Sequence, residues 1–143
     1  MGYNATVLSL MLLGLRSGVQ RGLVSAATEK AELAEFQQIV DQIDTTIQRS
    51  TDFTHRWVDT FNQAQQYTSI AYGAAVGSVN EMQTKFTEVV RLPANGYELE
   101  AFMHGPYLGV HHDHQQFFVR TKASDAVQTK ASEFVSLWSR ICW

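Results

Sequence analysis

The apolar pattern of this chain changes period near Tyr67, and that change constrains the fold more than any other feature. Before it, Leu33, Phe36, Val40, Ile43 and Ile47 recur at helical spacing with Glu, Gln and Asp between them. Such a stripe predicts one amphipathic helix over residues 28–49. Ser50 and Thr51 are candidate caps for a further helix, whose apolar side is Phe53, Trp57, Phe61 and Ala64. From Tyr67 to Tyr72 the run YTSIAY is short, aromatic and β-branched, which suits a buried strand broken at Gly73. Helical spacing then returns over residues 75–91, with Val79, Met82, Phe86, Val89 and Val90 expected to face inward.

The rest of the chain alternates in the same way. Pro93, Asn95 and Gly96 mark a loop. Glu98 to Met103 reads as a short helix stopped by Gly105-Pro106. Gln116 to Thr121 (QFFVRT) reads as a second strand. Ser124 can cap a last helix with Val127, Ala131, Phe134, Leu137, Trp138 and Ile141 on its buried side. Strand, helix and strand at this spacing predict a parallel βαβ unit, hence an α/β fold class with extra helices in front. Only two or three strands are visible, whereas a doubly wound sheet usually has about five or more. The chain therefore reads as part of an α/β domain.

Composition removes several function classes. Hydrophobic residues make up 45% and charged residues 17%, a globular balance rather than a disordered one. The net charge is -3 and the Lys and Arg residues are scattered, so no basic stripe offers itself to nucleic acid. Cys142 is the only cysteine, which excludes an internal disulfide and fits a reducing, cytoplasmic setting. The apolar run Ala5 to Leu15 has no positive charge before it and no clear cleavage site after it, as a signal peptide would. It is also shorter than the roughly 20 residues needed to cross a bilayer. A buried core helix, apolar all round, is expected there, and no membrane partner.

Two groups of residues carry possible chemistry. Glu81, Lys85 and Glu88 are spaced i, i+4 and i+7, so a helix presents them on one face. The plain reading is a solvated ion-paired face. The functional reading notes that this helix starts just after a strand's carboxyl end, where open α/β sheets bind ligands. A lysine between two carboxylates favours the charged forms, which suits a base. His104 is fixed at a corner by the following Gly105-Pro106. His111, His112 and His114 flank Asp113, but adjacent side chains on an extended segment point to opposite faces, so a solvated loop is expected there and no metal. The aromatic residues Phe53, Trp57, Phe61, Phe134 and Trp138 lie on helical stripes and read as core or dimer interface.

The stretch Ile70 to Tyr107, IAYGAAVGSVNEMQTKFTEVVRLPANGYELEAFMHGPY, resembles the sugar isomerase (SIS) domain family. The likeness is to the second module of glucosamine-6-phosphate synthase and of the fructosamine-phosphate deglycases. A strand ends in a glycine turn at Tyr72-Gly73, a helix carries Glu81, Lys85 and Glu88, and His104-Gly105-Pro106 follows. The wording RLPANGYELEAFMHGP is nearest the deglycase-like branch, and GYNATVLSLMLLGL is similar to the helix that closes a first SIS module.

The resemblance implies a partial three-layer α/β/α, flavodoxin-like module with parallel strands. It divides the chain into 1–24 as the end of a first module, 25–66 as a helical connection and 67–143 as part of a second module. It implies Glu88 as general base and His104 as the ring-opening group, supplied from a neighbouring subunit, so that a homodimer or higher oligomer is expected. Glu81, Lys85 and Gly73 would bind a phosphorylated sugar or amino-sugar, with no cofactor. The family's Ser/Thr-rich phosphate loop has no counterpart here, since Ser25, Ser50 and Thr51 are isolated. The expectation is therefore the middle portion of a two-module isomerase or deglycase, inactive as an isolated fragment. The alternative is a non-catalytic phosphosugar-binding or oligomerisation module.

Overall fold

The structure is a computed structural model of the chain, and it describes residues 2–120 together with Glu133 and Ser136. The chain divides into two compact units, residues up to Arg56 and residues from Trp57. The first unit is helical. Helix α1 spans Tyr3–Gln20, α2 spans Ala26–Asp41 and α3 spans Ile43–Arg56. Between α1 and α2 the chain turns at Gly22, whose φ of 69° is the left-handed conformation that glycine adopts without strain. Ser25 then caps α2, its hydroxyl accepting the Thr28 N–H at 3.1 Å.

Three expectations for this unit are corrected. The 28–49 stripe is not one helix: it breaks at Gln42, whose φ and ψ are -92° and -5°. Ser50 and Thr51 lie inside α3 and cap nothing; their hydroxyls donate to the carbonyls of Thr46 and Ile47, one turn back. Helix α1 has no buried residue, and Leu10 and Leu13 are each 63% exposed. An all-apolar run marks a surface that avoids water, but it does not say which surface covers it.

The second unit is built on a parallel sheet. Helix α4 spans Val58–Gln63, β1 Gln66–Ala71, α5 Val76–Lys85, β2 Ala94–Glu98, α6 Leu99–Met103 and β3 His114–Val119. The sheet order is β2-β1-β3, and both pairings are parallel. The fold class is therefore α/β, as expected. Five of the six residues of β1 are buried, which is what a central strand of a parallel sheet requires.

Side-chain alternation splits β1 between two layers. Tyr67 faces one layer and stacks on Phe86 at 4.6 Å and Phe117 at 6.2 Å between ring centroids. Ile70 faces the other and forms the core with Leu99 and Phe102 of α6.

Here too the structure departs from the pattern reading. The segment read as a loop at Asn95 and Gly96 is the edge strand β2, in register with Thr68 and Ser69. The helix over 75–91 is α only to Lys85, and Phe86–Val90 form a π-helical turn. That turn ends on Arg91, in the left-handed region with φ 61°. A π turn takes more than 3.6 residues, so extrapolating the stripe fails beyond Phe86. Val89 is accordingly 74% exposed rather than inward. The second strand begins at His114, not Gln116. Trp57 and Phe53 are about half exposed. The helix expected from Ser124, with Phe134 and Trp138, lies outside the described residues, of which Glu133 and Ser136 are helical.

Candidate functional site

The carboxyl end of β1 leads through Tyr72 into Gly73, which takes φ 61°. A Cβ built on Gly73 meets nothing within 4 Å, so its glycine is required by backbone conformation and open space lies above it. Helix α5 follows and brings Glu81, Lys85 and Glu88 together, as their spacing predicts. Lys85 Nζ donates to Glu88 Oε2 at 2.8 Å and lies 3.6 Å from Glu81 Oε1. All three side chains remain open to solvent, Lys85 and Glu88 by more than half. The lysine's pKa is raised, first by its hydrogen bond to Glu88, then by that carboxylate's charge, with Glu81 adding to both effects. The group stays cationic and holds a carboxylate at a fixed distance.

His104 terminates α6. Its Nδ1 lies 2.6 Å from the Glu100 carbonyl oxygen. A carbonyl only accepts, so Nδ1 donates, and the residue is exposed. Gly105 follows with φ 147°, and Pro106 opens a short 3-10 turn, so the corner is rigid. Among the described residues, His104 shares no hydrogen bond or ion pair with Glu81, Lys85 or Glu88: its contact is local to α6.

Several residues with structural or polar roles here were not visible in the pattern. Glu98, at the carboxyl end of β2, accepts the Ala101 N–H through Oε2 at 3.0 Å and so caps α6. Its Oε1 is buried without a hydrogen-bond partner among the described residues. Gln83, between Glu81 and Lys85 in sequence, accepts the Gly96 N–H at 2.7 Å. The HHDH cluster divides. His111 Nδ1 pairs with Asp113 at 3.0 Å and lowers that carboxyl's pKa, while His114 is buried and lies 2.7 Å from the Thr68 hydroxyl. His114 is thus a core histidine, not part of a solvated loop. Its Nδ1 lies beside the Gly109 carbonyl without a well-formed hydrogen bond. Burial pushes its pKa down.

Among the described residues, no group of three or more His, Cys, Asp or Glu is placed to hold a metal ion. No described helix is long and apolar enough to cross a membrane. The hydroxyls of Thr46, Ser50, Thr51 and Thr54 on α3 all donate to carbonyls one turn back, which leaves them acceptors rather than donors for an anion.

No family model matches the chain, and no curated protein matches it. Solved structures do share its fold. A candidate phosphosugar isomerase from Clostridium difficile 630 superposes with a TM-score of 0.83 at 26% identity, covering 95% of this chain and 38% of that one. A candidate sugar-binding protein from Salmonella typhimurium LT2 superposes with a TM-score of 0.80 at 23% identity, covering 95% of this chain and 42% of that one. The chain thus spans about two fifths of the length of each of these neighbours.

Proposed function

We propose that this chain carries the acid-base part of a phosphosugar site of the SIS type, acting on an amino-sugar or fructosamine 6-phosphate. One observation carries the reading. Glu81, Lys85 and Glu88 form an ion-paired, solvent-open face on the helix that follows the central strand's carboxyl end. They do so in a fold shared with a candidate phosphosugar isomerase.

In this reading Glu88 is the general base. In an aldose-ketose isomerisation it moves a proton between C1 and C2 through an enediol; in a deglycase it removes a C1 proton of the ketosamine, C2 is reprotonated through the enaminol, and water hydrolyses the resulting C1 imine to release the amine. Lys85 holds Glu88 in place and Glu81 orients Lys85. His104, exposed at the end of α6, moves the proton that opens the sugar ring. None of these steps asks for a cofactor. The Arg91 to Pro106 wording supports the deglycase-like branch over the synthase branch. Exposed apolar side chains such as Leu10, Leu13, Val89 and Leu108 support assembly as a homodimer or higher oligomer. The single cysteine supports a cytoplasmic setting.

The test is turnover of fructose 6-phosphate and fructosamine 6-phosphate by the chain and by Glu88→Gln. Loss of about 10²-fold or more in kcat on substitution is expected of a general base. Turnover that survives Glu88→Gln unchanged rejects the assignment. Saturable binding without turnover in either protein favours the non-catalytic module instead.

A further inference from the structure

We infer that Gln83 is a positioning residue for the face bearing Glu81, Lys85 and Glu88, an inference that rests on the function proposed above. Helix α5 and its π turn present two stripes. One is Val79, Gln83 and Phe86, spaced i, i+4 and i+7. The other is Glu81, Lys85 and Glu88, with the same spacing two residues on. At about 100° per residue, a shift of two residues places Glu81 and Lys85 on the far side of the helix from Val79 and Gln83, and the 2.8 Å hydrogen bond to Lys85 keeps Glu88 of the π turn with them. Val79 and Phe86 seat the helix on the sheet, while Lys85 and Glu88 face water.

Each anchor makes a different contact. Val79 is fully buried, and its carbonyl oxygen lies so close to β2 that a Cβ on Gly96 would sit 2.7 Å from it. Phe86 stacks on Tyr67 of the central strand. Gln83, between them on the stripe, is polar and exposed, and reaches the edge of β2 with its side chain. Its Oε1 accepts the Gly96 N–H at 2.7 Å. β2 is an edge strand, and this amide donates to Gln83 rather than into the ladder, so it is an outward N–H of the free edge.

Apolar packing at Val79 and Phe86 is non-directional and sets how deep the helix sits. The hydrogen bond is directional and sets the rotation of the helix about its axis. That rotation decides where the opposite stripe aims Glu88. Gln83 is itself exposed, so its loss leaves the core intact and its effect is read on the charged face rather than on folding.

The experiment compares the chain with Gln83→Leu, which fills similar space but cannot accept a hydrogen bond, and with Gln83→Glu, which keeps an acceptor oxygen. Hydrogen exchange at the Gly96 amide and steady-state kinetics with fructosamine 6-phosphate are measured on all three. Gln83→Leu is expected to speed Gly96 exchange about tenfold or more. It is expected to lower kcat by about 10- to 100-fold with KM within about twofold, the signature of a misaimed base. Gln83→Glu is expected to restore both. A native kcat in Gln83→Leu, or a Gly96 amide that exchanges freely in the unaltered chain, overturns the inference. If the unaltered chain turns nothing over, the functional proposal fails by itself. The positioning inference is then decided by the nuclear Overhauser contact between the Phe86 and Tyr67 rings, which reports how α5 sits on the sheet and which Gln83→Leu must weaken and Gln83→Glu must not. A contact equally strong in all three proteins overturns it.

Discussion

Gly96→Ala tests the packing of α5 on the sheet, on which the charged face depends. A Cβ at this position would lie 2.7 Å from the Val79 carbonyl oxygen, 3.0 Å from the Val79 carbonyl carbon and 3.0 Å from Asn80 Oδ1. The Asn80 side chain can rotate away. The Val79 backbone cannot, because its side chain is fully buried beneath it. Ordinary contact begins near 3.4 Å, so helix and strand must part by about 0.7 Å. Overpacking of this kind costs about 1–3 kcal/mol. Replacing glycine also narrows the unfolded ensemble, which returns about 0.4–1 kcal/mol. The net expectation is a loss of about 1–2 kcal/mol, read as a urea midpoint lowered by about 0.5–1 M in far-ultraviolet circular dichroism. Gly109→Ala is the control, since a Cβ there meets nothing within 4 Å. Equal midpoints for the two variants would refute the close approach and the account of why β2 contains a glycine.

Two further predictions concern stability. His114 has a pKa lowered below its ordinary 6.5, first by burial and then by the charge of His111, against the pull of Asp113. The folded state therefore prefers the neutral ring. The stability this contributes is fully present above pH 6.5 and is lost as pH falls from there through the lower folded value. The urea midpoint should fall as pH is lowered below 6.5, and His114→Gln should flatten that slope; an unchanged slope would contradict the burial argument. Arg91, left-handed at φ 61°, should become less strained as glycine, so Arg91→Gly should raise the midpoint by the equivalent of about 0.5–1 kcal/mol; a lower midpoint would mean that the side chain contributes more than its backbone costs.

What the sequence allowed one to read depended on whether period alone carried the signal. Tyr67 to Ala71 is β-branched and aromatic, is bounded by Gly73, and is the central strand. Glu81, Lys85 and Glu88 met on one face because helical geometry requires it through Lys85, and the π turn still leaves Glu88 within reach of the lysine. Leu99 to Met103 formed the expected short helix before His104. β2 was illegible because Asn95 and Gly96 are turn-forming residues. The glycine is there to admit the backbone of α5, and strand preference depends on such context more than on residue type. The π turn left no mark in the spacing of Val89 and Val90, which look like a continued stripe. His114 hid in a polar run, because its burial is created by Thr68, 46 residues earlier in the chain. The apolar helix α1 announced a face that avoids water without naming what meets it.

The central claim is that Glu88 moves a proton between C1 and C2 of a phosphosugar. Its most direct measurement is proton NMR of fructosamine 6-phosphate incubated with the chain in D2O, with Glu88→Gln alongside. With the unaltered chain a C1 proton of the sugar is expected to exchange for deuterium, which also enters C2 of the aldose product, at a rate at least about 10²-fold higher than with Glu88→Gln. Deuterium entering at the same rate in both proteins, or at the rate of buffer alone in the unaltered one, would contradict it.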